Sequence, residues 1–191
     1  MSAIYLLHVL FFSAFGLRLL MTPSTAGAPQ AQGETRDAPA RRGLVGFHAF
    51  GFGVMYAGIG SAVFSPRAPS LLFTSRPWLG AIVIVLATAL VVWSLAVFRS
   101  WRLEARIEAG HELCTAGPFR HVRHPIYLAT LLLNLGSFLW IPTVLVGLGG
   151  AVSAIAADQR ARAEERLLRE VFADAYRGYA VRVKRFLPGI Y

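Results

Sequence analysis

IYLATLLLNLGSFLWIPTVLVGLGGAVSAIAA, residues 126 to 157, is too long for one membrane crossing and carries its own break. A bilayer core about 30 Å thick needs roughly 20 apolar residues as helix, and a proline inside a helix removes a backbone donor and clashes with the preceding turn. Trp140, Ile141 and Pro142 therefore predict a tight turn between two apolar helices of about sixteen residues. Such a hairpin returns both open ends to one side of the bilayer.

The rest of the chain continues the pattern. Ile4–Leu20 reads as a retained first helix rather than a leader, because it lacks a basic start and its arginine, Arg18, lies at the far end. Residues 22 to 43, rich in Pro, Gly and Ala, read as a mobile loop. Leu44–Phe64 is a second span, in which Gly46, Gly53 and Gly60 recur every seven residues and predict a packing seam. Leu79–Phe98 is a third, with Trp78, Trp93 and Trp101 as anchors and Arg99 and Arg102 at its end. The expected architecture is all-α and integral to the membrane, with five transmembrane helices including the C-terminal hairpin, followed by a cytoplasmic amphipathic helix. One domain, 1–191, is expected, with three membrane helices in 1–98 and a cofactor-binding catalytic half in 99–191.

Of 191 residues, 55 % are hydrophobic and 15 % charged, yet the net charge is +9. The basic residues lie between apolar runs rather than along one soluble face, which speaks against nucleic acid as a partner. Arginine is concentrated around the first loop, in 99–125 and after Asp158, and is sparse in the second loop, where Arg67 and Arg76 stand. By the rule that positive loops stay inside, the polar segments face the cytoplasm and the N-terminus lies outside, in an inner or plasma membrane. The tail after Asp158 carries Leu168, Phe172, Ala175 and Tyr179 at helical spacing and is expected to lie on anionic headgroups, with Tyr176 and Tyr179 as interface anchors. Cys114 is the sole cysteine, so no intrachain disulfide forms.

Chemistry concentrates in GPFRHVRHPIY, residues 117 to 127, and in the tail. His111, Cys114, His121 and His124 have the spacing of zinc ligands, but Arg120 and Arg123 stand among them and would repel a dication, so no metal is expected. Neither GxGxxG nor GxxxxGK[ST] occurs. Arg120, Arg123 and Arg160 can meet a carboxylate or phosphate, and Glu164 and Glu165 an ammonium or ribose hydroxyls. Arg160 and Glu164 also fit an exposed i,i+4 pair of small worth. His8 and His48, inside apolar runs, read first as packing histidines.

ELCTAGPFRHVRHPIYLAT resembles the (V/C)T-x-GP(Y/F)-x-x-x-RHP-x-Y-x-(G/A) signature of the isoprenylcysteine carboxyl methyltransferase and phospholipid methyltransferase superfamily of membrane enzymes. The tail is similar to that superfamily's R-x-x-x-EE…RF(L/I)P pattern at Arg160, Glu164, Glu165, Leu168, Phe172, Tyr176, Tyr179, Val183, Arg185, Phe186, Leu187 and Pro188, with Ala173 where many members carry glycine. The resemblance implies S-adenosylmethionine as cofactor and a lipophilic or lipidated acceptor arriving from the bilayer. It implies cofactor contacts from His111, Gly117, Arg120, Arg123, His124, Pro125, Tyr127, Glu164 and Glu165, and catalytic roles for Arg160, Glu164 and Glu165, with Arg160 on the acceptor. An NADPH-dependent reductase of the sterol or steroid type and a non-enzymatic lipid-binding bundle are the competing readings.

Overall fold

The computed structural model describes residues 2–21, 36–37, 41–65, 72–98, 106–107 and 113–191. His111, Arg67, Arg99, Trp101, Arg102 and most of the 22–43 loop lie outside the described residues. Five helices carry the fold: α1 (Ser2–Met21), α2 (Arg41–Phe64), α3 (Pro77–Val97), α4 (Pro125–Trp140) and α5 (Val144–Arg182). Three of them, α1 to α3, are long and apolar enough to cross a membrane, and α4 is a shorter apolar helix of 16 residues. The chain is an all-α membrane protein.

The turn of the hairpin falls at Ile141 to Thr143, one residue beyond the expected Trp140 to Pro142. Pro142 cannot continue α4, and Thr143 caps α5 by accepting a hydrogen bond from the Val146 N–H at 3.3 Å. Backbone bonds from Leu72 N to Pro142 O (2.7 Å) and Arg76 N to Leu139 O (2.8 Å) tie the second loop to this turn. At the opposite end, Arg36–Asp37 pairs antiparallel with Arg106–Ile107, so the first loop and the 99–125 segment meet on one side.

In α5 the structure departs from expectation. The second arm of the hairpin runs past Asp158 into the polar tail without a break, and Val144–Arg182 is kinked further on instead. A helix backbone is indifferent to where its side chains change from apolar to charged, so Asp158 marks a change of surroundings, about 20 Å along the axis, and no break. The break comes at Ala173, with φ +41° and ψ −115°. This is a conformation that glycine enters freely and alanine only under strain. Beyond it the tail turns back: Tyr176 and Tyr179 are buried and the Tyr179 hydroxyl donates to the Phe119 carbonyl at 2.6 Å. Both tyrosines face the protein, Tyr179 against the 117–124 segment, so they are not interface anchors.

Helix α2 runs antiparallel to α5, α3 lies along α4, and α1 docks on α3. Glycines let the backbones close, but not those of the expected seam. Gly46 and Gly53 face open space. A methyl group at Gly51 would lie 2.7 Å from the Ser153 nitrogen, and one at Gly58 would lie 2.8 Å from the Val146 nitrogen. Gly51 and Gly58 are also seven apart, so spacing alone does not choose between the two faces. Aromatic rings join α1 to α2: His8 meets Tyr56 at 5.4 Å and Phe12 meets Phe52 at 5.6 Å. His8 is a packing histidine, hydrogen-bonded to Ile4 O at 2.8 Å and to the Ser137 hydroxyl at 3.0 Å.

Candidate active site

The RHP-x-Y segment is placed by three local devices. Gly117, at φ +55°, opens a short 3-10 turn over Gly117–Arg120, and a side chain there would meet Val97 on α3. Phe119 is buried edge-on against Phe98 at 5.4 Å, fixing the turn to the bundle. Pro125 then begins α4 at a position where a missing N–H is harmless. Between turn and helix, residues 122 to 124 run extended beside the returning tail, with Arg123 N bonded to Lys184 O (2.8 Å) and His124 N to Arg185 O (3.1 Å). This pairing brings the two sequence motifs together.

At the junction the two adjacent glutamates face different surroundings, as a rotation of about 100° per residue requires. Glu165 is 1 % exposed and closed in by arginine. Arg123 donates to its Oε1 through Nε (3.1 Å) and Nη2 (2.7 Å), and Arg185 reaches both oxygens at 2.9 Å. Arg169 adds a bond to Oε2 at 3.2 Å from a half-exposed side chain. The remaining Arg123 nitrogen donates to the carbonyls of Ala180 (3.1 Å) and Val183 (2.5 Å), beyond the break at Ala173. Arg185 continues to Asp158 (3.1 Å) and to the Tyr191 hydroxyl (2.6 Å). Burial disfavours the Glu165 carboxylate, but His124, Arg185 and Arg123 outweigh it and hold the group far below the usual carboxylate range.

Glu164, by contrast, is 24 % exposed. It accepts a hydrogen bond from the Tyr127 hydroxyl, and its Oε2 lies 3.6 Å from His124 Nδ1. Arg160 stacks on the Tyr127 ring at 5.2 Å from the centroid, on the same side of α5. His124 stands between the two glutamates, its Nε2 being 3.3 Å from Glu165 Oε1 but off the line of a hydrogen bond. Burial works against its charge, yet the two carboxylates prevail and raise its pKa above the ordinary 6.5.

Among the expected site residues, Glu164, Tyr127, Arg160 and His124 thus form one partly open group, while Arg123 and Glu165 form the closed one. Pro125 is buried beneath them and Gly117 lies against α3. Arg120 and His121 are exposed, and their side chains make no hydrogen bond or ion pair among the described residues. The sequence reading assigned no role to Arg185, Asp158 or Tyr191. Arg185 carried a signal, since it belongs to the RF(L/I)P pattern; Asp158 and Tyr191 carried none.

An open carboxylate, a phenol, an imidazole and a guanidinium suit a ligand bearing ammonium, hydroxyl and acid groups. A donor such as S-adenosylmethionine fits that set, with Glu164 for its cationic or hydroxyl part. No curated protein matches the chain. The family model for phospholipid methyltransferases matches residues 75–175, which contain α3, α4, the RHP-x-Y segment and both glutamates. The match takes in more than half of the sequence, and the chain belongs to the phospholipid methyltransferase family.

Proposed function

We propose that the protein transfers the methyl group of S-adenosylmethionine to a lipophilic acceptor from the bilayer, in the manner of the isoprenylcysteine carboxyl methyltransferases it resembles. The observation that carries this reading is the contrast between Glu165, saturated by arginines, and Glu164, which keeps accessible surface beside Tyr127 and Arg160. When bound, the donor supplies a methyl group on a positively charged sulfur. The chain's task is alignment and exclusion of water.

In this reading Glu164 holds the donor's ammonium or ribose hydroxyls, and Tyr127 orients that carboxylate while lying against the adenosine. His124 keeps Glu164 in place. Arg123 positions through Glu165 rather than by touching the donor, and Arg120, exposed at the rim, meets the donor's carboxylate. Arg160 faces the acceptor and neutralises its carboxylate or phosphate. The catalytic half is 99–191, on the cytoplasmic side, and the helices of 1–98 shape access for the lipid. A nicotinamide-dependent reductase is disfavoured by the family to which the chain belongs.

Calorimetry on the detergent-solubilised protein tests the reading. S-adenosylhomocysteine or S-adenosylmethionine should bind without added metal, whereas NADPH should give no heat. Heat from NADPH alone overturns it.

A further inference from the structure

Family membership rests on residues 75–175, and α2 lies outside them. Yet α2 places an unsatisfied histidine next to the open group. His48 is 6 % exposed and neither ring nitrogen has a hydrogen-bond partner among the described residues. Its ring stacks on Phe52 at 5.2 Å with planes 3° apart, and Phe52 in turn is held edge-on by Phe12 of α1. The imidazole is thus fixed in orientation without being satisfied. A buried polar group left unpaired costs stability, and such groups in native proteins are nearly all matched by something.

Register locates it. Gly51 sits against Ser153 and Gly58 against Val146, so each step along α2 matches an opposite step along α5. His48 therefore falls opposite residue 156, one helical turn or about 6 Å from Arg160. Ser153, whose backbone forms the Gly51 contact, is 1 % exposed, and its hydroxyl also lacks a partner among the described residues. Two unsatisfied neutral polar groups thus share the α2–α5 seam, directly on the membrane side of a cation. They complement a molecule with an acid at one point and a neutral hydrogen-bonding group a few bonds deeper.

We infer that the end of this seam at His48 is the subsite for the neutral polar part of the acceptor, an amide, ester or hydroxyl of a lipid whose acid group lies at Arg160, with His48 as its contact. The inference rests on the methyl-transfer reading. His48 is a positioning residue: an imidazole offers one donor and one lone pair, and either matches such a group without a change of charge. An acid-headed lipid lacking that group leaves His48 unpaired and binds more weakly.

The test uses the full chain in detergent, with His48→Phe, which keeps the stack on Phe52, and His48→Gln, which keeps a neutral donor and acceptor. The first measurement is lipid retention: protein incubated with a total polar lipid extract, washed, and extracted for mass spectrometry. Wild type and His48→Gln should retain lipids with an acid head and a nearby amide, ester or hydroxyl, and His48→Phe at least tenfold less. The second is turnover with tritiated methyl donor and the same extract, where His48→Phe should raise the apparent KM tenfold or more with kcat less affected. S-adenosylhomocysteine affinity should stay within twofold in all three. Equal retention and KM in wild type and His48→Phe, or a His48→Gln variant as impaired as His48→Phe, overturns the inference. Failure of wild type to bind S-adenosylhomocysteine removes the methyl-transfer reading instead, and lipid retention still reports on the seam.

Discussion

Glu164 and Glu165 are neighbours in the chain with opposite surroundings. Glu165 has exchanged water for three guanidinium groups, at 1 % exposure, and ties α5 to the RHP segment and to the returning tail. Glu164 keeps one side toward solvent and touches a phenol and an imidazole. A carboxylate whose oxygens are all taken builds structure, and one with capacity left is open to a ligand. The difference arises from one step around a helix, and it assigns the two residues different failures when changed.

The largest effect is expected at the closed member. Glu165→Gln leaves Arg123 and Arg185, both about nine-tenths buried, without their counter-charge. Removing one partner of a buried ion pair costs about 3–5 kcal/mol, enough to abolish a cooperative thermal transition in a marginally stable protein. Thermal melting in detergent checks this. A Glu165→Gln melting point within a few degrees of wild type breaks the contrast.

A smaller effect of opposite sign is expected at Ala173, whose bend lets Ala180 and Val183 return to Arg123. Ala173→Gly relieves a positive φ that costs alanine about 1–3 kcal/mol, less the added freedom of the unfolded chain, about 0.4–1 kcal/mol. A net gain of about 1 kcal/mol should appear as a raised melting point. A lowered one means that the methyl group packs usefully at the bend.

Acidity provides the smallest effect. His124 has a raised pKa, so its contribution is complete below its ordinary value near 6.5 and is lost as pH rises through the folded value. Glu165 has a depressed one, so its contribution is complete above about pH 4.3 and is lost progressively as pH falls from there through the folded value. Melting points should therefore peak between about pH 5 and 6.5 and decline gently above. His124→Gln should flatten the alkaline side alone; a decline that persists in that variant places the titrating group elsewhere.

Local rules made much of this legible. Pro142 announced the hairpin turn because a proline in the middle of an apolar run cannot continue a helix. The separation of Arg160 and Glu164 from Glu165 followed from helix geometry. Which glutamate is buried did not, because that depends on Arg185, twenty residues on, returning past a bend at Ala173 that alanine ordinarily resists. The continuity of α5 through Asp158 is hidden for the converse reason: polarity changes there while the backbone helix continues. The seam was misassigned to Gly46, Gly53 and Gly60 because a seven-residue repeat marks a face without saying what the face meets, and α5 selects Gly51 and Gly58. His48 looked like an ordinary packing histidine, as His8 is. Only the absence of a partner among the described residues sets it apart.

Whether Glu164 holds the methyl donor is decided by one measurement: the S-adenosylhomocysteine dissociation constant of Glu164→Gln beside wild type, by calorimetry at a temperature where both are folded. Losing a charge-assisted contact of about 1.5–3 kcal/mol predicts an affinity weaker by about tenfold or more with the melting point unchanged. An affinity equal to wild type in a folded Glu164→Gln protein would contradict it.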